Sequence, residues 1–322
     1  MKIPFRTLLA GVAFAFCAPA FAQGGAYPAK PVRFVVAFAP GGPADIVARL
    51  VAQKLGDAWG QPVVVENRGG AGGNVAAQAV SKTGPDGYTV LVTTSAIAVN
   101  QSLSKNPGYD VEKDLIPVAV VASSPNVIVA SLALGANTLQ EVVEKAKSGK
   151  LNYGTAGAGT TPHLSAEYLF KILAKVPVTH VPYKGGGPAL AGAMSGEVEL
   201  VSVAMPPAVP MIKSGKIRGI AVTSDRRVAA LPDVPTVAES GFPGFADYTW
   251  VGLFLPAGAP SDVVTRVNVE IEKLLQQPDM RERLAAIGFE PVGGTPRQFS
   301  EYLKTELVKW ARVVRETGAT AE

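Results

Sequence analysis

Short β-branched runs closing on Gly-, Thr- or Ser-rich loops alternate with longer amphipathic stretches along most of this 322-residue chain. That order constrains the fold more than any other feature, because it is the pattern of a parallel sheet covered by helices, an α/β architecture. Val32 to Phe38 reads as a first strand, followed by the turn Pro40-Gly41-Gly42-Pro43 and a helix over about 44–55. In that helix Val47, Val51 and Leu55 share one face, and Gly56 is placed to end it. Strands are predicted over 62–66 and 88–93, the latter closing on Thr94 and Ser95, with a helix near 74–81 between them.

A second β/α series begins near Asn126. It comprises a strand over 126–130, a helix over 138–147 and a strand over 151–154, then the loop Thr155-Ala156-Gly157-Ala158-Gly159-Thr160-Thr161. Thr161 is suited to cap the helix that follows, with Pro162 at its first position and Leu164, Tyr168 and Ile172 on its buried face. Strands over 178–181, 198–203, 217–223 and 250–255, and helices near 261–276 and 296–315, complete the series. Ligands in open α/β sheets sit outside the carboxyl ends of the strands. Two such sheets facing each other would bring both sets of loops to one cleft.

The N-terminus reads as an export leader. Lys2 and Arg6 form a basic region, Leu8 to Phe16 an apolar run, and Ala20-Phe21-Ala22 the small-x-small pattern of a cleavage site, with Gln23 as the mature start. An apolar core of roughly ten residues is too short to span a bilayer, which takes about 20. Phe16 stands where a lipoprotein site wants a small residue, so Cys17 reads as incidental to a discarded leader. Cys17 is the single cysteine. The mature chain therefore has no thiol nucleophile, thiolate metal site or disulfide framework. Its roughly 300 residues are near the size at which one core divides into two. Without Lys2 and Arg6 the net charge is +2, with no basic run, which argues against a nucleic-acid partner.

Catalytic and nucleotide motifs are absent from the sequence. Gly157-Ala158-Gly159-Thr160-Thr161-Pro162 starts like a dinucleotide fingerprint but has proline where the third glycine belongs, and Gly70 to Val75 also lacks it. Gly149-Lys150 and Gly215-Lys216 are followed by Leu151 and Ile217, so no phosphate-binding P-loop is present. There is no G-x-S-x-G elbow, and His163 and His180 are the only imidazoles, too few for a zinc site. Both read first as structural, His163 with ligand contact as the second possibility. What remains are loops at helix starts, Pro40–Gly42 and Thr155–Thr161, whose amides and hydroxyls suit an anion. Ordinary strand-to-helix turn chemistry accounts for each loop equally well. Asp45 fits a first-turn carboxylate or a ligand's hydrogen-bond acceptor, Lys184 and Arg68 a carboxylate partner or solvated surface, and Tyr183 a cleft wall or a core.

Taken together, these segments are similar to a known family. Val32 to Asp45, Val64-Val65-Glu66-Asn67-Arg68 with Gly70 to Asn74, and Pro85-Asp86-Gly87-Tyr88-Thr89 resemble the tripartite tricarboxylate transporter receptors, the Bug-type solute-binding proteins. So do Asn152 to Gly157, Val181-Pro182-Tyr183-Lys184-Gly185, Gly215 to Arg218, Leu231 to Thr236 and Trp250-Val251-Gly252-Leu253. The resemblance runs in order through the whole mature chain. It implies a type II periplasmic-binding-protein fold of two α/β domains joined by two crossovers, with a ligand cleft between them. The expected division is a leader over 1–22, a discontinuous first domain over 23–124 and 248–322, and a second over 125–247.

The resemblance also implies a monomeric periplasmic receptor, neither enzyme nor cofactor protein, that captures a small carboxylate for the permease subunits of such a transporter. A receptor for a sensor kinase is the alternative, and an α/β enzyme a more distant one. Mapped onto this chain, the implied ligand contacts are Phe38, Pro40, Gly41, Gly42, Asp45 and Ser95 on one side. On the other they are Thr155, Gly157, Gly159, Thr160, Thr161, His163 and Tyr183. In one place the chain departs from the pattern: Val201-Ser202-Val203-Ala204-Met205 stands where relatives often carry an aspartate and an aromatic, which puts a relative's ligand in doubt here.

Overall fold

A computed structural model describes residues 27–321. The export leader, its cleavage point and Cys17 lie outside the described residues. Strands β1 (Val32–Val36), β2 (Val63–Asn67) and β3 (Thr89–Thr94) pair in parallel with β1 in the middle. The crossover helices between them are α1 (Pro43–Trp59) and α2 (Asn74–Ser81). Helix α3 (Ala96–Leu103) follows β3 and leads to the 16-residue strand β4 (Leu115–Ala130).

Strand β4 joins the two halves of the molecule. Its Leu115–Pro125 stretch runs antiparallel to β9 (Tyr248–Pro256), which in turn runs antiparallel to β3. Its Asn126–Ala130 stretch pairs with β7 (Leu200–Ala204) and β8 (Arg218–Val222). Beyond β7 lie β5 (Asn152–Thr155) and β6 (Thr179–Pro182), both parallel. The result is one ten-stranded sheet in which the chain passes between halves at Pro125–Asn126 and returns at Asp247–Tyr248. The two sets of strands expected from the sequence are thus continuous through β4. One apolar cluster draws on residues within 32–122 and 250–313 together with Leu164, and two others draw on 127–245.

Helix α1 buries Val47, Val51 and Leu55 as their spacing predicts, but it does not stop at Gly56. It runs one turn further, to Trp59, and Gly60 ends it at φ 63° with its N–H on the Gly56 carbonyl. A mid-helix glycine costs about 1 kcal/mol; the extra turn sets Trp59 against the core and against the Tyr27 ring at 5.9 Å, which outweighs that cost.

Helix α5 (Thr161–Glu167) begins one residue earlier than its sequence suggests, with Thr160 as the capping position and Pro162 second in the helix. It continues into a wider π-type turn over Tyr168–Leu173, which inserts a residue and rotates the faces that follow. Leu169 and Phe170 are consequently buried, whereas Tyr168 is half-buried and Ile172 is exposed, contrary to the expected face.

Helices α4 (Leu139–Ala146), α6 (Gly186–Ser195), α7 (Val209–Lys213), α8 (Ser261–Gln276), α9 (Pro278–Ala286) and α10 (Pro296–Thr317) complete the cover, with β10 (Glu290–Pro291) edging β4. Thr138 caps α4 by accepting the Glu141 amide, and Thr295 and Gln298 form a reciprocal capping box on α10.

Candidate functional site

The loop after β1 is built around Asp45. Its carboxylate accepts the Gly41 amide at 2.9 Å, the Arg49 guanidinium at 3.0 Å and the Asn67 side-chain amide at 2.9 Å. Asn67 also donates to the Phe38 carbonyl at 2.9 Å, so both ends of the Phe38–Gly42 turn are tied to one buried acid. Burial pushes this carboxyl up, but the bonds from Arg49, Gly41 and Asn67 together outweigh burial and hold it below its ordinary range. Asp45 thereby shapes the loop and spends the Gly41 amide in doing so.

The opposing loop, between β5 and α5, is also internally bonded. Thr155 Oγ1 accepts the Gly157 amide at 3.2 Å, and His163 Nδ1 accepts the Gly159 amide at 3.3 Å. Thr160 Oγ1 donates to the Gly157 carbonyl at 2.8 Å. Gly157 and Gly159 adopt φ of 137° and 78°, conformations open to glycine and strained for other residues. The amides of Gly41, Gly157 and Gly159 are thus taken by neighbouring side chains, and the hydroxyls and apolar walls are what the cleft presents.

His163 and His180 stack at 4.0 Å, with His180 Nε2 at 2.7 Å from Thr155 Oγ1. Burial, aided by Lys171, pushes His163 down to about 4. Burial first, then His163, pushes His180 down to about 3. Both rings are neutral at pH 7 and serve as a rigid floor under the loop. Unfolded histidine takes its proton near pH 6.5, so the pair's contribution to stability is present above that pH and is lost as pH falls towards 4 and 3. His180→Gln is expected to reduce the stability lost between pH 6.5 and 4 by about 3 kcal/mol. Denaturant unfolding at both pH values checks this; an unchanged slope means that His180 is not held neutral.

The two halves touch across the cleft. Ala39 N donates to the Lys184 carbonyl at 3.4 Å, Asn100 donates to the Gly159 carbonyl at 3.2 Å, and the Ser95 and Thr161 hydroxyls lie 3.2 Å apart. Between the halves is a small inner cavity of about 20 Å³, bounded by Phe38, Thr94, Thr160, Val203, Ala204 and Thr249 among others. An outer cavity of about 260 Å³ lies between Phe38, Gly72, Asn100, Gly157, Tyr183 and Lys184. Among the described residues that line it, Lys184 is the one formal charge, a cation, and none is acidic.

Of the residues anticipated from the sequence, Phe38 borders both cavities, Thr160 the inner one, and Gly157 and Tyr183 the outer one. Ser95 and Thr161 meet between the halves just behind them. Pro40, Gly41, Gly42, Asp45, Thr155, Gly159 and His163 line neither cavity; Gly41, Asp45, Thr155, Gly159 and His163 take part in the hydrogen bonds within the two loops. Arg68 is paired with Glu66 at 2.5 Å, away from the cavities. The Tyr183 ring lies beside Gly154 and Gly192, where a Cβ would come within 2.9 and 2.4 Å of it.

Two contributors were not anticipated: Thr249 and Asn100 reach the cleft from β9 and α3. Val203–Ala204, in the stretch singled out from the sequence, form its apolar wall. Ser202 in that segment turns away and donates to the Pro162 carbonyl at 2.9 Å. Asn100 was missed because α3 is apolar on nearly every face and shows no helical period.

The family described as Tripartite tricarboxylate transporter family receptor matches residues 47–319. Protein BugT of Bordetella pertussis is 38% identical over 297 residues, 91% of each chain. A solved structure described as R. palustris Rpa4515 with adipate superposes with a TM-score of 0.88 at 35% identity, covering 91% of this chain and 99% of that one. MatC from Rhodopseudomonas palustris with bound malate gives 0.85 at 34% identity, over 89% and 100% of the two chains. Among the described residues, no helix is long and apolar enough to cross a membrane and no group of side chains is arranged to hold a metal.

Proposed function

The chain belongs to the tripartite tricarboxylate transporter receptor family of periplasmic solute-binding proteins, and from that premise we propose that it captures a small carboxylate between its two halves and delivers it to the permease of such a transporter. The outer cavity carries this assignment: Lys184 stands at its margin, no acid lines it, and apolar groups and hydroxyls form the rest. A carboxylate there gains an ion pair and displaces water from apolar wall. Two relatives of this size and shape hold dicarboxylates, adipate in one and malate in the other.

The working parts follow from the connections. Residues 23–124 with 248–322 form one lobe and 125–247 the other, and the two close about the chain passages at Pro125–Asn126 and Asp247–Tyr248. Phe38, Gly157, Thr160 and Tyr183 touch the ligand directly. Pro40, Gly41, Gly42, Asp45, Thr155, Gly159 and His163 hold the loops, and Ser95 and Thr161 latch the lobes. Export proceeds through the 1–22 leader with cleavage after Ala22, and the protein works as a monomer; intact mass and sedimentation of periplasmic protein check both.

A melting panel of mono-, di- and tricarboxylates tests the ligand class. Ligand at 100 times its dissociation constant adds about 2.7 kcal/mol, and a chain of this size then melts roughly 5–10 °C higher. If neutral solutes raise the melting point and no carboxylate does, the assignment is wrong.

A further inference from the structure

Among the described residues, no acid lines any cavity at the cleft. Lys184 is the one charged side chain on the outer cavity, and the inner cavity has none. A groove of about 500 Å³ adjoins the outer cavity and shares Ala71, Ser104 and Ala321 with it. Lys105 is the one formal charge among the described residues of that groove. The acids of nearby segments are engaged elsewhere. Asp45 accepts from Gly41, Arg49 and Asn67, and Glu66 pairs with Arg68. Glu197 lies near the Tyr183 hydroxyl, which is buried against Gly192.

The neutral acceptors on the outer wall are also largely occupied. The carbonyls of Phe38, Gly70, Ala71, Gly72, Gly157 and Lys184 each accept a hydrogen bond from within the protein. Asn100 Oδ1 accepts the Ser104 hydroxyl at 3.3 Å, and Ser104 Oγ accepts the Asn74 amide at 3.0 Å.

These walls treat two ligand groups in opposite ways. A carboxylate finds the Lys184 ammonium. A ligand ammonium carries three donors and a positive charge, so it needs free acceptors or an acid when water is displaced. Here it finds neither, and Lys184 repels it. A neutral hydroxyl at the same carbon carries no such penalty.

We propose that the cleft selects carboxylates that lack an amino group and rejects the 2-amino acid of the same skeleton. The selection rests on the cleft being the carboxylate site. Lys184 and the acid-free wall together decide it, because every charge that a ligand meets there is positive.

Succinate, malate and aspartate share one four-carbon diacid skeleton and differ by a hydrogen, a hydroxyl and an ammonium. In calorimetry at pH 7, malate is expected to bind within tenfold of succinate. Aspartate is expected to bind at least 30-fold more weakly than either, the factor that a charge penalty of ~2 kcal/mol gives. Malate controls for size and polarity, so aspartate binding within tenfold of malate overturns the proposal. Ser104→Asp, shown by its melting curve to be folded, places an acid on the outer wall and is expected to narrow the malate-to-aspartate ratio below fivefold. An unchanged ratio in that variant means that a missing counter-charge is not the cause. Glu322 follows Ala321 and lies outside the described residues, so Glu322→Gln is measured alongside and is expected to keep the wild-type ratio. A ratio widened more than fivefold there would reveal an acid serving the cleft and overturn the proposal. If none of the three probes binds, adipate and 2-aminoadipate repeat the comparison. If no carboxylate binds at all, it is the proposed function that fails, and the selectivity falls with it.

Discussion

Gly72→Ala is expected to weaken ligand capture by about 100-fold or more while the protein stays folded. Gly72 lies in the first lobe at φ 62°, and a Cβ there would stand 2.3 Å from the Ala158 carbonyl oxygen of the second lobe. It would also meet Asn100 Nδ2 at 2.9 Å. The obstacle opposite is backbone, which has no rotamer to escape into, so the lobes can relieve the clash only by separating. Apparent affinity falls by the fraction of molecules able to close, and a closure penalty of ~2.7 kcal/mol is already a factor of about 100. The left-handed conformation itself costs alanine about 1–2 kcal/mol, a modest loss for a chain this large. Calorimetry with whichever carboxylate shifts the melting point, alongside a melting curve, separates the two effects. Binding within threefold of wild type would show that the lobes do not need this contact to hold a ligand.

The second large effect concerns stability. Glu306 on α10 is buried, and its Oε2 accepts both the Trp250 and the Trp310 indole N–H at 3.1 Å. Trp250 in turn packs edge-on against Phe299 at 5.4 Å, so this one carboxylate ties α10 to β9 at the centre of the first lobe. Glu306→Ala strands two buried donors and leaves a cavity. Each stranded donor costs about 1–3 kcal/mol, giving a loss of roughly 3–5 kcal/mol and a melting point lower by roughly 10–15 °C. Glu306→Gln keeps a carbonyl acceptor of the same shape and should lose less than half as much. Equal losses in the two variants, measured by urea unfolding, would mean that the indole bonds are not what Glu306 supplies.

The strand-and-loop order was legible because it depends on local chemistry. Val47, Val51 and Leu55 announce the buried face of α1, and the glycines at 157 and 159 announce a turn whatever surrounds them. Errors arose where tertiary packing overrode that chemistry. Gly56 stays helical because Trp59 has a core to reach, and Ile172 is exposed because a π-type turn rotates the face that Leu164 began. Helix α6, with the sequence GGPALAGAMS, carries loop composition; its small residues are what let the Tyr183 ring lie against Gly192.

The candidate site divides in the same manner. By itself the sequence determined the family, the alternation of strands with helices and the two glycine-bearing loops, since each depends on residue types at short spacing; the antiparallel pairing of β4 and β9 that makes one mixed sheet did not show in it. Only the tertiary structure decided what those loops do. Asp45, Thr155 and His163 accept the amides of Gly41, Gly157 and Gly159, bonds that fix the shape of both loops. That no acid is among the described residues lining the cleft was likewise decided there. A side chain's partner depends on which group folding places beside it, and no local pattern of residues encodes that.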